Sequence, residues 1–410
     1  VLPEKEQKTS LSIDENSTLS DYLQYAAINN PALKAAFYEW KAALERIPQV
    51  KALPDPRFTY TYFIREIETR AGTQEHKVAI SQTFPWFGKL SLRGDIAFQQ
   101  AEAKRLLFET AKYRLFYDVK KAYYEYYYLG RATKITREHL ELLKYLEEIA
   151  RAKLRFGSES SKDVVKIQVE LGKIDNRLKE LLEMRTSLMA KLNETLNMPV
   201  DTFLPFPQSI PMEHIKLKDK ELMEWIKLHN PELKSIKAEI KGAERAVKLA
   251  KKNYFPDFTI GAQYIETDDN GVVDSGKDAV LASVSMNIPI WIEKYRAGEK
   301  EALLRLSSLK KRYRERENNI FSELKNATFG LRDSLRRMSF FHDTIIPVAE
   351  HSLMATQQAY QLGTGDFLDV IDAQRDLLEF NLSYERALTD YAIKMAEIEK
   401  IIGAPLPKSK

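Results

Sequence analysis

Asn30-Pro31-Ala32-Leu33-Lys34 returns later in the chain as Asn230-Pro231-Glu232-Leu233-Lys234. Working outward, Pro56-Arg57-Phe58-Thr59 returns as Pro256-Asp257-Phe258-Thr259. Phe84-Pro85-Trp86-Phe87 returns as Ile288-Pro289-Ile290-Trp291, and Gly94 as Gly298. Gly157, Asp163, Gln168 and Pro199 return as Gly363, Asp369, Gln374 and Pro405. The offset drifts upward from 200 to 206, as a duplication with small loop insertions would. Each half then reads alike. A helix opens on Asn-Pro, with proline in its first turn; a strand pair, a long helix, a glycine turn and a last helix follow.

The repeats are expected over 1–199 and 221–405, joined by a segment over 200–220 and ending in a tail over 406–410. Within the first, the reading gives a hairpin at about 57–84, a long helix at about 88–155, a tip at 156–161 and a helix at about 162–197. Within the second, it gives a hairpin at about 257–288, a long helix at about 292–361, a tip at 362–366 and a helix at about 367–402.

The strands alternate. Val280, Ala282, Val284, Met286 and Ile288 share one face against Leu281, Ser283, Ser285 and Asn287; Phe58, Tyr60, Tyr62 and Ile64 oppose Thr59, Thr61 and Phe63. At about 9–11 residues each strand has the length of a tilted transmembrane strand. Trp86, Phe87 and Trp291 follow the strand ends, where an interfacial aromatic girdle falls. Alternation by itself also fits a half-buried sheet packed on helices. Strand number argues against that, because four strands in two distant hairpins leave open edges. A barrel needs closure, so one chain supplies part of it.

The helices are unusually long. Lys89 to Arg155 holds no proline, and Glu293 to Gln361 holds only Pro347; each reaches roughly 100 Å at 1.5 Å per residue. Leu115, Val119, Ala122, Tyr126 and Leu129 step by 4, 3, 4, 3, and Val370, Ala373, Leu377, Phe380 and Tyr384 by 3, 4, 3, 4. Such seams pack helices nearly parallel, and a plain antiparallel bundle accounts for them equally well.

Composition sets the bounds. The 410 residues carry 63 Lys+Arg against 59 Asp+Glu, which leaves no nucleic-acid footprint. A charged content of 30% excludes a polytopic helical membrane protein; the longest mostly apolar uncharged run, Ala279 to Ile292, is too short to span as a helix. With no cysteine there are no disulfides, thiolate metal sites or cysteine nucleophiles. No secretory signal stands at Val1, which fits either a cytosolic chain or one already trimmed. No catalytic constellation, phosphate loop or HExxH pair is present, so no enzyme activity, cofactor or resident metal is expected. Asp268, Asp269 and Asp274 fall in the second hairpin loop and read as exposed.

Both tips carry chemistry. Gly157 and Gly363 suit the left-handed position that ends a helix. Asp366 suits an N-cap with Asp369 at N3, so capping is the plain account of those acids. Asp369 and Asp372 are three apart on one helix face. In a trimer they would form stacked rings of three carboxylates, which attract cations and repel anions.

The run Tyr360-Gln361-Leu362-Gly363-Thr364-Gly365-Asp366-Phe367-Leu368-Asp369-Val370-Ile371-Asp372-Ala373-Gln374 resembles the TolC family of outer-membrane efflux channels. Leu53-Pro54-Asp55-Pro56 and Phe84-Pro85-Trp86-Phe87-Gly88-Lys89 resemble its heavy-metal efflux branch. The resemblance implies a mainly α fold with a small β part and an obligate homotrimer. Three chains would close a twelve-stranded barrel in outer-membrane lipid and a twelve-helix periplasmic tunnel. It implies a passive duct joined to a periplasmic adaptor and an inner-membrane pump of the RND type. It also implies that Asp369 and Asp372 line the periplasmic constriction, that Tyr360 and Asp163 link neighbouring helices when it is closed, and that Gly157, Ser158, Gly363 and Thr364 meet the adaptor. Gly365 departs from the pattern, since some members carry an arginine there that locks the gate. The alternative is a soluble periplasmic coiled-coil scaffold or adaptor. An adaptor needs a lipoyl-like or β-barrel domain rich in short strands, and none is visible.

Overall fold

In the computed structural model, residues 13–155, 161–210 and 219–406 are described. The elements run α1 (Leu19–Asn29), α2 (Pro31–Lys51), β1 (Arg57–Thr69), β2 (Gly72–Phe84), α3 (Lys89–Arg155) and α4 (Ser161–Leu196). Then come α5 (Asp219–His229), α6 (Pro231–Lys252), β3 (Phe258–Thr267), β4 (Ala279–Met286), α7 (Ile292–Phe340), α8 (Ile346–Gln361) and α9 (Phe367–Ile402). The fold is mainly helical with one small antiparallel sheet. Two compact units cut across the repeats: Val1–Ala35, Phe108–Pro231 and Asn318–Lys410 form one, Ala36–Leu107 and Glu232–Glu317 the other. Each unit therefore draws corresponding pieces from both halves of the sequence.

In the first unit the repeat is visible atom by atom. The Asn30 side-chain amide donates to the Thr195 carbonyl (3.3 Å), and that of Asn230 to the Ile401 carbonyl (2.7 Å). The helices they tie end alike, at Asn197 (φ 59) and Gly403 (φ 73), both left-handed. At Gly403 a Cβ would lie 2.2 Å from Pro231 Cδ, so only glycine lets the two segments approach there. The stepped seam on α3 is buried as the spacing implies, Leu115, Val119, Ala122, Tyr126 and Leu129 all being at most 8% exposed.

Two readings of the helices need correction. On α9 the buried line runs Val370, Gln374, Leu378, Leu382, Glu385 and Thr389, while Leu377, Phe380 and Tyr384 are half-buried on its flank. α9 packs on α8, α5 and α4, and these neighbours together widen its buried stripe beyond one heptad line. The second long helix is also interrupted, by a π-turn at Phe341–Ile345 between α7 and α8. Pro347 explains it: proline lacks an N–H and its ring crowds the carbonyl four residues back, and a wider turn relieves both.

His139 of α3 is 9% exposed in this unit. Burial, then the Arg177 charge, lowers its pKa from 6.5 to about 4, against the opposing pull of Glu170 and Glu379. The unfolded chain binds that proton more readily, so the stability contributed by neutral His139 is complete above about pH 6.5. It is lost as pH falls toward 4. Between pH 7 and pH 5 this amounts to about 2 kcal/mol. Denaturation at both pH values should show that loss, and His139→Leu should remove most of it.

The second unit holds the sheet, in the order β1-β2-β3-β4. Its strands are 13, 13, 10 and 8 residues, so the first two are longer and the last shorter than alternation suggested, while the first hairpin keeps its expected bounds, 57–84. Register aligns the alternating residues across all four strands. Phe58, Ile80, Ala262 and Ala282 form one row, and Tyr60, Val78, Tyr264 and Val280 the next. The intervening row, Thr59, Ala79, Gln263 and Leu281, belongs to the other face, as do Ser81, Gly261 and Ser283. A slip of one residue in any strand would mix the faces. The apolar face is uncovered, with Phe58 68%, Val280 79% and Val284 72% exposed. Among the described residues β1 and β4 each keep one unpaired edge. No helix among the described residues is long and apolar enough to cross a membrane.

Candidate gate and membrane-facing sites

The α8–α9 turn closes by a full Schellman motif. Gly363 (φ 76) donates to the Tyr360 carbonyl (3.2 Å) and Thr364 N–H to the Ala359 carbonyl (3.0 Å). Asp366 then caps α9, its carboxylate accepting from Leu368 N–H at 3.0 Å. Between them, Gly365 has no room for a side chain: a Cβ would lie 2.8 Å from Ala359 Cβ and 3.1 Å from Tyr360 N. An arginine at this position would require a different turn, which gives the departure noted in the sequence a physical reason.

Tyr360 is 3% exposed, its ring 5.0 Å from that of Phe367. Lys153 Nζ of α3 donates to the Tyr360 carbonyl (2.5 Å) and stands 3.7 Å above the Tyr360 ring. Asp163 lies half-buried in the first turn of α4. Asp369 and Asp372 are exposed, with Asp369 in the first turn of α9. Asp372 is not bare, because Arg375 Nη1 donates to it at 3.0 Å. The other end of the guanidinium reaches Glu170 of α4 at 3.1 Å. Burial raises the Glu170 pKa, but Lys173 and Arg375 outweigh it and hold the carboxyl below its usual range. Gly363 and Thr364 are exposed at the turn; Gly157 and Ser158 lie outside the described residues.

Arg375 could have been found from its i,i+3 spacing to Asp372. Lys153 stands 207 residues from Tyr360, and nothing local announces that contact.

At the foot of the sheet, Trp86 is half-buried. It stacks on Phe255 (5.1 Å) and Phe258 (5.5 Å), while Phe87 and Trp291 are 78% and 73% exposed. Asp257 pins this foot, accepting from Trp86 N–H (2.8 Å) and from Lys89 Nζ (2.7 Å).

The profile of the family described as "Outer membrane efflux protein" matches residues 22–196 and 222–404. The chain belongs to that family. It is 21% identical to the probable outer membrane lipoprotein SilC of Salmonella typhimurium over 90% of this chain and 80% of that protein. It is 21% identical to the cobalt-zinc-cadmium resistance protein CzcC of Cupriavidus metallidurans, over 94% of this chain and 90% of that one. The solved CusC channel superposes with a TM-score of 0.80 at 15% identity, covering 98% of each chain. The fold is thus that of the family's channels, and its relatives in sequence include a metal-resistance protein. For this outer-membrane efflux protein, the helical majority and single small sheet follow the family plan.

Proposed function

We propose that three copies of this efflux protein close a twelve-stranded barrel in the outer membrane, continued by a twelve-helix periplasmic tunnel. The assembly is a passive exit duct. Substrate reaches it from an inner-membrane pump, of the RND type, through a periplasmic adaptor. The carrying observation is the sheet: its register gathers the apolar residues on one uncovered face and leaves an edge open at each side. Lipid contact satisfies the face, and the next copy satisfies the edges. The relatives named for cobalt-zinc-cadmium resistance and for cation efflux favour metal cations as cargo.

The α8–α9 turns form the gate, with Asp369 and Asp372 ringing the constriction and Tyr360 and Asp163 holding neighbouring helices closed. Gly363 and Thr364 offer the adaptor an exposed turn, alongside Gly157 and Ser158. Arg375 neutralises Asp372 within each chain, so Asp369 carries most of the cation preference. Planar-bilayer recording tests this. Arg375→Ala should increase cation over anion permeability and lower the concentration at which divalent cations block. Asp369→Ala should do the reverse. No change in either variant would remove these residues from the constriction.

A further inference from the structure

We propose that the outward face of α6, just below the sheet, binds the phosphate of anionic glycerophospholipid headgroups. This rests on the reading of the sheet as membrane-spanning. A cavity of about 530 Å³ lies there, lined by Ser91, Arg245, Lys248, Lys251, Lys252 and Phe255 among others. Spacings of three and six or seven place the four cations along one face of α6.

The cavity lies on the side of the sheet that carries the apolar residues. Phe255, in its wall, stacks on Trp86, and Trp86 stacks on Phe258. Phe258 shares the apolar face with Phe84 and Met286 by register. From the sheet downward the surface therefore passes from the apolar face, through the stacked Trp86 and Phe255, to the cations. A leaflet passes through acyl chain, glycerol interface and phosphate in the same sequence. An acidic protein partner would match the cations but would have no use for the aromatic step above them.

The cations are weakly engaged. Arg245 meets Asp95 at 3.7 Å, both side chains being nearly half exposed (46% and 47%). Lys251 meets Glu299 at 3.7 Å, and Lys252 rests 5.7 Å from the centre of the Phe255 ring. Lys248 has no ion-pair partner among the described residues. Asp95 is the one acid in the cavity wall, so the wall carries a net positive charge. Basic residues at a membrane surface each strengthen attachment to anionic lipid severalfold.

Native mass spectrometry of the detergent-purified assembly, titrated with phosphatidylglycerol, phosphatidylcholine or inorganic phosphate, tests the site. Phosphatidylglycerol should be retained in preference to phosphatidylcholine, and inorganic phosphate at equal concentration should not displace it. The combined Arg245→Ala, Lys248→Ala and Lys251→Ala variant should bind phosphatidylglycerol about a hundredfold more weakly. Lys248→Glu alone should weaken it by at least fivefold, which keeps the test decisive if the triple variant fails to assemble. Equal retention of both lipids, displacement by inorganic phosphate, or undiminished binding by Lys248→Glu would overturn the proposal. Failure of the membrane reading is distinct: the wild-type chain would then not insert into lipid vesicles at all, whatever their headgroup.

Discussion

Ile80→Arg is expected to prevent assembly in the membrane, whereas Ser283→Lys should leave it nearly intact. The two positions lie in adjacent rows of the sheet and on opposite faces. Ile80 sits in the second strand between Phe58 and Ala262, and is 55% exposed in one chain. On a lipid-facing surface near mid-height, an arginine costs about 2–4 kcal/mol per copy. In the proposed trimer, three copies would multiply that penalty within one assembly. Ser283 shares its row with Ser81 and Gly261 on the small, polar face, where the proposed water-filled interior would accept a lysine at little cost. The heat-modifiable band on a semi-native gel reads both. Equal behaviour of the two variants would contradict this assignment of the faces.

The second large effect lies in the helical unit. Glu385 of α9 is 3% exposed and accepts from Arg131 of α3 at 2.6 Å and from the Tyr127 hydroxyl at 3.3 Å. Burial, then the charge of Glu385, pushes the Tyr127 pKa up to about 12. Arg131→Met strips the carboxylate of its cation and leaves it in an apolar contact. Breaking a buried pair costs about 3–5 kcal/mol, and the partial exposure of Arg131 puts the expectation at the low end, about 3 kcal/mol. Adding Glu385→Leu should recover most of that, because an apolar pair of similar volume replaces the ion pair without an orphaned charge. Urea denaturation of wild type, both single variants and the double variant completes the cycle. If Arg131→Met alone is neutral, the pair does not hold α3 to α9.

Much of this was legible before any coordinates. The duplicated Asn-Pro marked the starts of α2 and α6, and Gly363 and Asp366 announced the turn and cap that the structure closes with hydrogen bonds. Strand alternation was legible because its period is set by the backbone alone. What could not be read lies at long range. The shift of the buried line on α9 depends on where α4, α5 and α8 pack. The π-turn depends on how the helix relieves Pro347, a residue visible in the sequence whose consequence is not. Lys153 over Tyr360 and Arg375 reaching Glu170 join residues on different helices, and pairing across helices leaves no mark on local spacing.

The claim beneath all of this is that the open edges of β1 and β4 meet between copies and that the ring closes at three. The chain has no cysteine, so substitution at each edge gives a clean probe. Thr59→Cys on β1 combined with Ser285→Cys on β4 should, with a flexible bis-maleimide, yield covalent dimer and trimer on a denaturing gel and nothing larger. Monomer alone, or a ladder continuing past three, would contradict it.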